Sequence, residues 1–177
     1  MAREGGGLMG PGESSGPQAA DWGGLSWSPW TDLDQAVRDH LIPVTAGLYR
    51  FRARDDPGLL YIGEGVNRRR RLRILARALR RHPASFYLGW RAAGLTSRPH
   101  RGHYAAPSLR RCQDAGWVIE VSWAGEEHPD RAQRRAIEAD LISRHRQDMG
   151  GDPPVQHGGR GVDHFLESRR GPQDGGG

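Results

Sequence analysis

Hydrophobic positions along the chain change period several times, and each change marks an element. Leu33, Val37 and Leu41 recur at i, i+4 and i+8. That spacing predicts a short helix, capped by Thr31 or Asp32 and ended by Pro43. Residues 47–53 and 59–63 are strand-forming, and the turn residues Asp55-Asp56-Pro57-Gly58 between them predict an antiparallel hairpin. Residues 67–82 return to helical spacing. Asn67 is the cap candidate, Leu72, Leu75 and Leu79 form the buried stripe, and Pro83 is the stop. Residues 107–115 read as another helix, terminated by Gly116. The run 117–123, WVIEVSW, alternates apolar and polar and reads as a third strand. A last long helix begins near Pro129, as a first helical residue, and runs to about Arg146. Residues 84–103 combine an apolar FYLGW with a basic TSRPHRGH and follow neither period. The order β-β-α-α-β-α predicts an α/β (α+β) domain, a small three-stranded antiparallel sheet flanked by helices.

Composition sets the limits of that domain. Residues 1–20 and 161–177 are rich in glycine and polar residues, so both are expected to be largely disordered. Residues 21–46 form a lead-in with Trp22, Trp27 and Trp30, read as packing or covering residues, followed by the short helix. Residues 47–160 are left as the main domain. The start lacks the apolar core of a signal peptide, and no run is long enough to span a membrane. A single cysteine, Cys112, fits a reducing compartment, so the expected location is cytoplasmic.

Charge points toward a partner class. The net charge is +5, and all 26 basic residues are arginine. Arginine stays charged and grips phosphate as a fork, which makes nucleic acid the first partner to consider.

Two features carry candidate chemistry. Two of the four tyrosines, Tyr49 and Tyr61, lie in the hairpin, each beside a glycine. Any register with an even residue sum, such as Phe51 opposite Tyr61, puts both phenols on one sheet face. They are sheet-packing aromatics or a catalytic pair. In the last helix, 100° steps place Glu138 between the apolar Leu141 and Ile142. A carboxylate there is costly unless paired, with Arg134 the nearest partner, or unless it serves as a metal ligand or acid/base group. His100, His103 and Cys112 lack the paired spacing of a zinc site, and His145 and His157 read as surface residues.

Taken together, these residues resemble the GIY-YIG nuclease family. The naming motifs stand here as Gly47-Leu48-Tyr49 and Tyr61-Ile62-Gly63. Arg71 matches the family arginine that opens the next helix, and Glu138 in AIEADLI matches the glutamate that binds the metal. His103 begins a segment similar to one before the family's middle helix. The similarity covers about residues 43–156. It implies hydrolysis of DNA phosphodiesters by water, with one Mg²⁺ or Mn²⁺ held by Glu138. Arg71 would grip a phosphate oxygen, Tyr49 and Tyr61 would position water and phosphate, with Tyr49 as proton acceptor or relay, and His103 would supply basicity. Arg68, Arg69, Arg70, Arg73 and Gln156 would contact double-stranded DNA. Cutting both strands would take a homodimer or two successive events. Two departures stand out. Leu75 replaces a protic residue one turn after Arg71, and Gln156 stands nearest to a family asparagine. They define the alternative: a catalytically weak or inactive nucleic-acid-binding domain of the same fold. A third reading is a small α/β domain whose arginines reflect genome composition alone.

Overall fold

The computed structural model describes residues 16–80 and 105–169. The fold is α+β, with a four-stranded antiparallel sheet and helices packed on it. In chain order the elements are β1 (Thr31–Asp32), α1 (Leu33–Arg38), β2 (Gly47–Ala53), β3 (Tyr61–Gly65) and α2 (Arg68–Arg80). Then come α3 (Ala105–Asp114), β4 (Ile119–Trp123), α4 (Arg131–Met149), a short helical turn α5 (Gln156–Gly159) and α6 (Val162–Ser168).

Strand order is β1-β4-β2-β3, so the hairpin supplies the centre and one edge. The fourth strand is the correction to three. β1 pairs only Thr31 with Val121 and Asp32 with Glu120. Two residues cannot display a period, so periodicity could not reveal it.

The sheet separates two cores. Tyr49, Phe51 and Val121 face α1, α2 and α3, where Leu33, Leu72, Leu75, Leu79 and Leu109 are buried. Leu48, Ile62 and Ala124 belong to the other core, with Trp22, Trp27 and Leu141 of α4. Fully burying one such aliphatic side chain contributes about 1.5–3 kcal/mol, which fixes the leucine stripe of α2 inward despite its many arginines.

Local signals set most element ends. Asp32 caps α1, its carboxylate accepting from Gln35 N–H at 3.0 Å. Asn67 Oδ1 accepts from Arg70 N–H at 2.8 Å at the head of α2. Beyond α3, Gly116 at φ +92° donates to Gln113 O and Trp117 N–H donates to Cys112 O, the paired bonds of a glycine-terminated helix. The cap of α4 is Asp130, accepting from Gln133 N–H at 2.7 Å, so Pro129 precedes the helix instead of opening it. α1 stops at Arg38, which leaves Leu41 outside the helix and exposed.

The expected disordered ends contain packed residues. Gln18 donates to Gly58 O at 3.3 Å and accepts from Arg52 at 2.5 Å. Val162 and Phe165 of α6 join the first core. Packed residues therefore lie on both sides of 47–160, since the lead-in and α6 each contribute apolar groups to one of the two cores.

The free edge of β3 is also covered. Val155 N–H donates to Leu60 O at 2.9 Å. The Gln156 amide then pairs with Ile62, accepting from its N–H at 3.1 Å and donating to its carbonyl at 3.0 Å. The side chain imitates a neighbouring strand, which blunts an otherwise open edge.

Candidate active site

Pairing fixes the tyrosines first. Phe51 lies opposite Tyr61 and Tyr49 opposite Gly63. The residue sum is even, so both phenols share one face, with ring centroids 6.3 Å apart. Phe51 meets Tyr49 edge-on at 5.7 Å. Gly63 makes room for the pair. A Cβ there would lie 2.6 Å from Tyr61 Cε1 and 2.7 Å from Tyr49 Cζ and Oη. Gly47 makes room for a different group, since its Cβ would lie 2.8 Å from Arg68 Cζ. Gly63→Ala is therefore expected to destabilise by about 1–3 kcal/mol, the usual range for overpacking. Equilibrium urea unfolding checks this; a variant as stable as wild type would mean the rings yield freely.

Arg71 follows from the cap. It sits in the first turn of α2, with its N–H on Asn67 O at 3.0 Å. Its Nε donates to Tyr49 Oη at 3.3 Å. Tyr49 is fully buried, and burial pushes its phenol above the ordinary range although Arg71 opposes the shift. Burial likewise raises Tyr61. Tyr49 thus keeps its proton at neutral pH. It fits an orienting role better than the expected proton acceptor.

Glu138 reaches the same neighbourhood from α4. Its charge acts on both Tyr49 and Tyr61, and Arg71 acts on it. It is half-buried, and its carboxyl is pushed up to about 7, first by burial and then by Glu64, against Arg135 and Arg71. An ion pair between Glu138 and Arg134 does not form. Arg134 Nε instead donates to Glu64 at 2.7 Å, and its Nη1 binds the carbonyls of His128 and Pro129 at 2.8 and 2.7 Å. Arg134 is buried, and its Nε and Nη1 donors are occupied there. Glu64 is the member that sequence reasoning missed. Its signal was available: strand alternation puts it on the face opposite the tyrosines, directly after Gly63.

Other candidates divide. Arg68 is only 1 % exposed; it donates to Ala124 O and to Thr45 Oγ1 at 2.7 Å. Arg69 donates to Ile42 O at 2.6 Å and His40 O at 3.1 Å. These two hold the loop before β2 against α2; Arg68 has almost no surface to offer DNA, which corrects its reading as a contact, while Arg69 stays half-exposed. Gln156 is also corrected, since it is buried on Ile62. Arg70 and Arg73 are exposed. His103 lies outside the described residues. Leu75 is buried in the first core. His145, expected at the surface, is buried: Nε2 accepts from Leu59 N–H at 3.1 Å and Nδ1 donates to Gly151 O at 2.8 Å. His157 is exposed and lies 3.4 Å from Asp152.

Among the described residues, no three of the His, Cys, Asp and Glu side chains gather as a metal cage. Magnesium-like ions keep several waters and need only one or two carboxylates. Glu138, held near neutrality beside the charge of Glu64, fits that minimal requirement, because a divalent cation would relieve the repulsion between them. No family model, curated protein or solved structure matches the chain. No helix among the described residues is long and apolar enough to cross a membrane.

Proposed function

We propose that the protein is a divalent-metal-dependent endonuclease of the GIY-YIG type, hydrolysing phosphodiester bonds in DNA. One observation carries the reading. Tyr49, Tyr61, Arg71 and Glu138 come from two strands and two helices, yet they interact electrostatically as one group. In the reaction, water loses a proton as its oxygen bonds to phosphorus, the bond from phosphorus to the 3′-oxygen breaks, and the 3′-oxygen leaves as a hydroxyl with a proton taken up in exchange. Arg71 presents a guanidinium to a non-bridging phosphate oxygen, where negative charge accumulates. Tyr49 fixes that guanidinium through the 3.3 Å bond, and Tyr61 lines the approach beside it. Glu138 would hold Mg²⁺ or Mn²⁺. Bound there, the ion supplies Lewis acidity for the leaving oxygen.

The test is incubation with supercoiled plasmid and either ion, read as nicked product. Arg71→Ala should slow nicking by about 10²–10³-fold. Absence of nicking with either ion would sink the enzyme reading. The alternative, a DNA-binding domain without catalysis, draws on Leu75: the position one turn beyond Arg71 is built into the core and can move no proton. Salt-sensitive binding to DNA without cleavage would favour it.

A further inference from the structure

The net charge conceals a strong division. Residues 65–113 contain 13 of the 26 arginines and none of the 21 acidic residues. The rest of the chain, with 13 arginines against those 21 acids, is net negative. Within the described part of the basic segment, α2 is the long element, and its arginines have different fates. Arg68 and Arg69 bind protein oxygens, and Arg71 contacts Tyr49. Arg70, Arg73 and Arg77 are exposed.

Helical geometry places Arg70, Arg73 and Arg77 on one strip. At 100° per residue they fall within about 60° of one another, opposite the buried Leu72, Leu75 and Leu79. At 1.5 Å per residue the strip is about 10 Å long. That is roughly the rise of three phosphate-to-phosphate steps on one DNA strand. Many arginines elsewhere have carboxylate partners, among them Arg52 and Arg54 on Glu120, Arg110 on Asp114, Arg144 on Asp140, Arg146 on Asp152 and Arg169 on Asp56, whereas Arg38, Arg131, Arg135 and Arg160 are exposed without one among the described residues and do not line up on α2. Among the described residues, no such ion pair involves Arg70, Arg73 or Arg77. Their charge is left to act outward.

We propose that this strip is a phosphate track for one strand of duplex DNA, on the outer face of α2 and about 100–160° around the helix from Arg71. The inference takes DNA as the partner from the nuclease reading, but the binding it describes needs no cleavage. The chemistry recognised is the sugar–phosphate backbone, so the strip contributes affinity without choosing sequence.

Fluorescence anisotropy with a short duplex oligonucleotide in EDTA tests this apart from catalysis. The triple variant Arg70→Gln/Arg73→Gln/Arg77→Gln should bind at least about tenfold more weakly at low salt. Its dependence of log K on log salt should be shallower by about 2–3, close to 0.9 for each phosphate no longer neutralised. Arg146→Gln, which removes an arginine already paired with Asp152, should leave both unchanged. An unaltered slope in the triple variant would overturn the track, as would an equal loss in Arg146→Gln. Equally tight, strip-dependent binding to phosphatidylserine vesicles would overturn the assignment to DNA. Strip-dependent duplex binding by a protein that never nicks plasmid would sustain this inference while the nuclease reading fell.

Discussion

Glu138→Gln is expected to slow nicking severely and, at the same time, to make the metal-free protein more stable above neutral pH. The loss of activity should be on the order of 10³-fold, since the amide cannot supply the anionic ligand. The gain follows from the carboxyl's position. Its folded pKa of about 7 stands above the ordinary value of 4.5, so the native state takes up a proton between those limits. Below 4.5 the group is neutral folded or unfolded and costs nothing. As pH rises toward 7 and beyond, the native protein must bear an unneutralised carboxylate, and stability falls by on the order of 2–3 kcal/mol. Glutamine removes that cost. Thermal melts in EDTA should show a variant several degrees more stable than wild type at alkaline pH, with no difference near pH 4.5. His145 has the opposite sign. Burial lowers its pKa below 6.5, so its contribution is complete above 6.5 and falls as pH drops through the folded value. The variant should keep that acid limb and lose the alkaline decline. Adding Mg²⁺ should stabilise wild type and leave the variant unmoved. Equal stability of the two proteins across the range would refute the strained carboxylate, and nicking by the variant at the wild-type rate would refute the site.

The parts of this site that sequence made visible are those governed by local periods. Strand alternation put Tyr49 and Tyr61 on one face for any even-sum register, and the observed pairing of Phe51 with Tyr61 is even. The 100° helical step exposed Glu138 as a charge in an apolar stripe, and the Asn67 cap placed Arg71 in the first turn. What stayed hidden depends on distant acceptors. Arg68 looks like its neighbours in a run of four, yet Thr45 and Ala124, 23 and 56 positions away, bury it. Gln156 looks like a polar loop residue, but Ile62, 94 positions earlier, supplies both of its partners. Glu64 gains its role from Arg134 across 70 residues. No period encodes such pairs; only the closed fold brings their partners together.

The largest loss of stability is expected from Arg50, a fully buried cation with no carboxylate beside it among the described residues. Its guanidinium lies 4.2 Å from the Trp27 ring centroid, 4.7 Å from Trp30 and 6.0 Å from Trp22. It donates to the carbonyls of Pro17 at 2.5 Å and Ala19 at 2.8 Å. Burial and then Arg52 pull its pKa down to about 9, which still leaves it a cation at neutral pH. One buried charge thus helps to pin the tryptophan-rich lead-in to the sheet face opposite Tyr49, alongside the backbone bonds of Trp27 and Ser28 to the end of β4. Arg50→Ala removes desolvated cation–π contacts, about 2 kcal/mol, and strands buried carbonyls, about 1–3 kcal/mol, for a loss of roughly 3–5 kcal/mol. Arg50→Met keeps much of the stacking area but neither charge nor donors, and should lose roughly half as much. Urea unfolding gives the energies. Tryptophan emission gives the mechanism, since release of residues 16–30 should shift it to longer wavelength before the sheet melts. If Arg50→Met matches wild type in both measurements, apolar packing alone holds the lead-in and the cation is incidental. If both variants unfold in one step without an early emission shift, the lead-in belongs to the same cooperative unit as the sheet that carries Tyr49 and Tyr61.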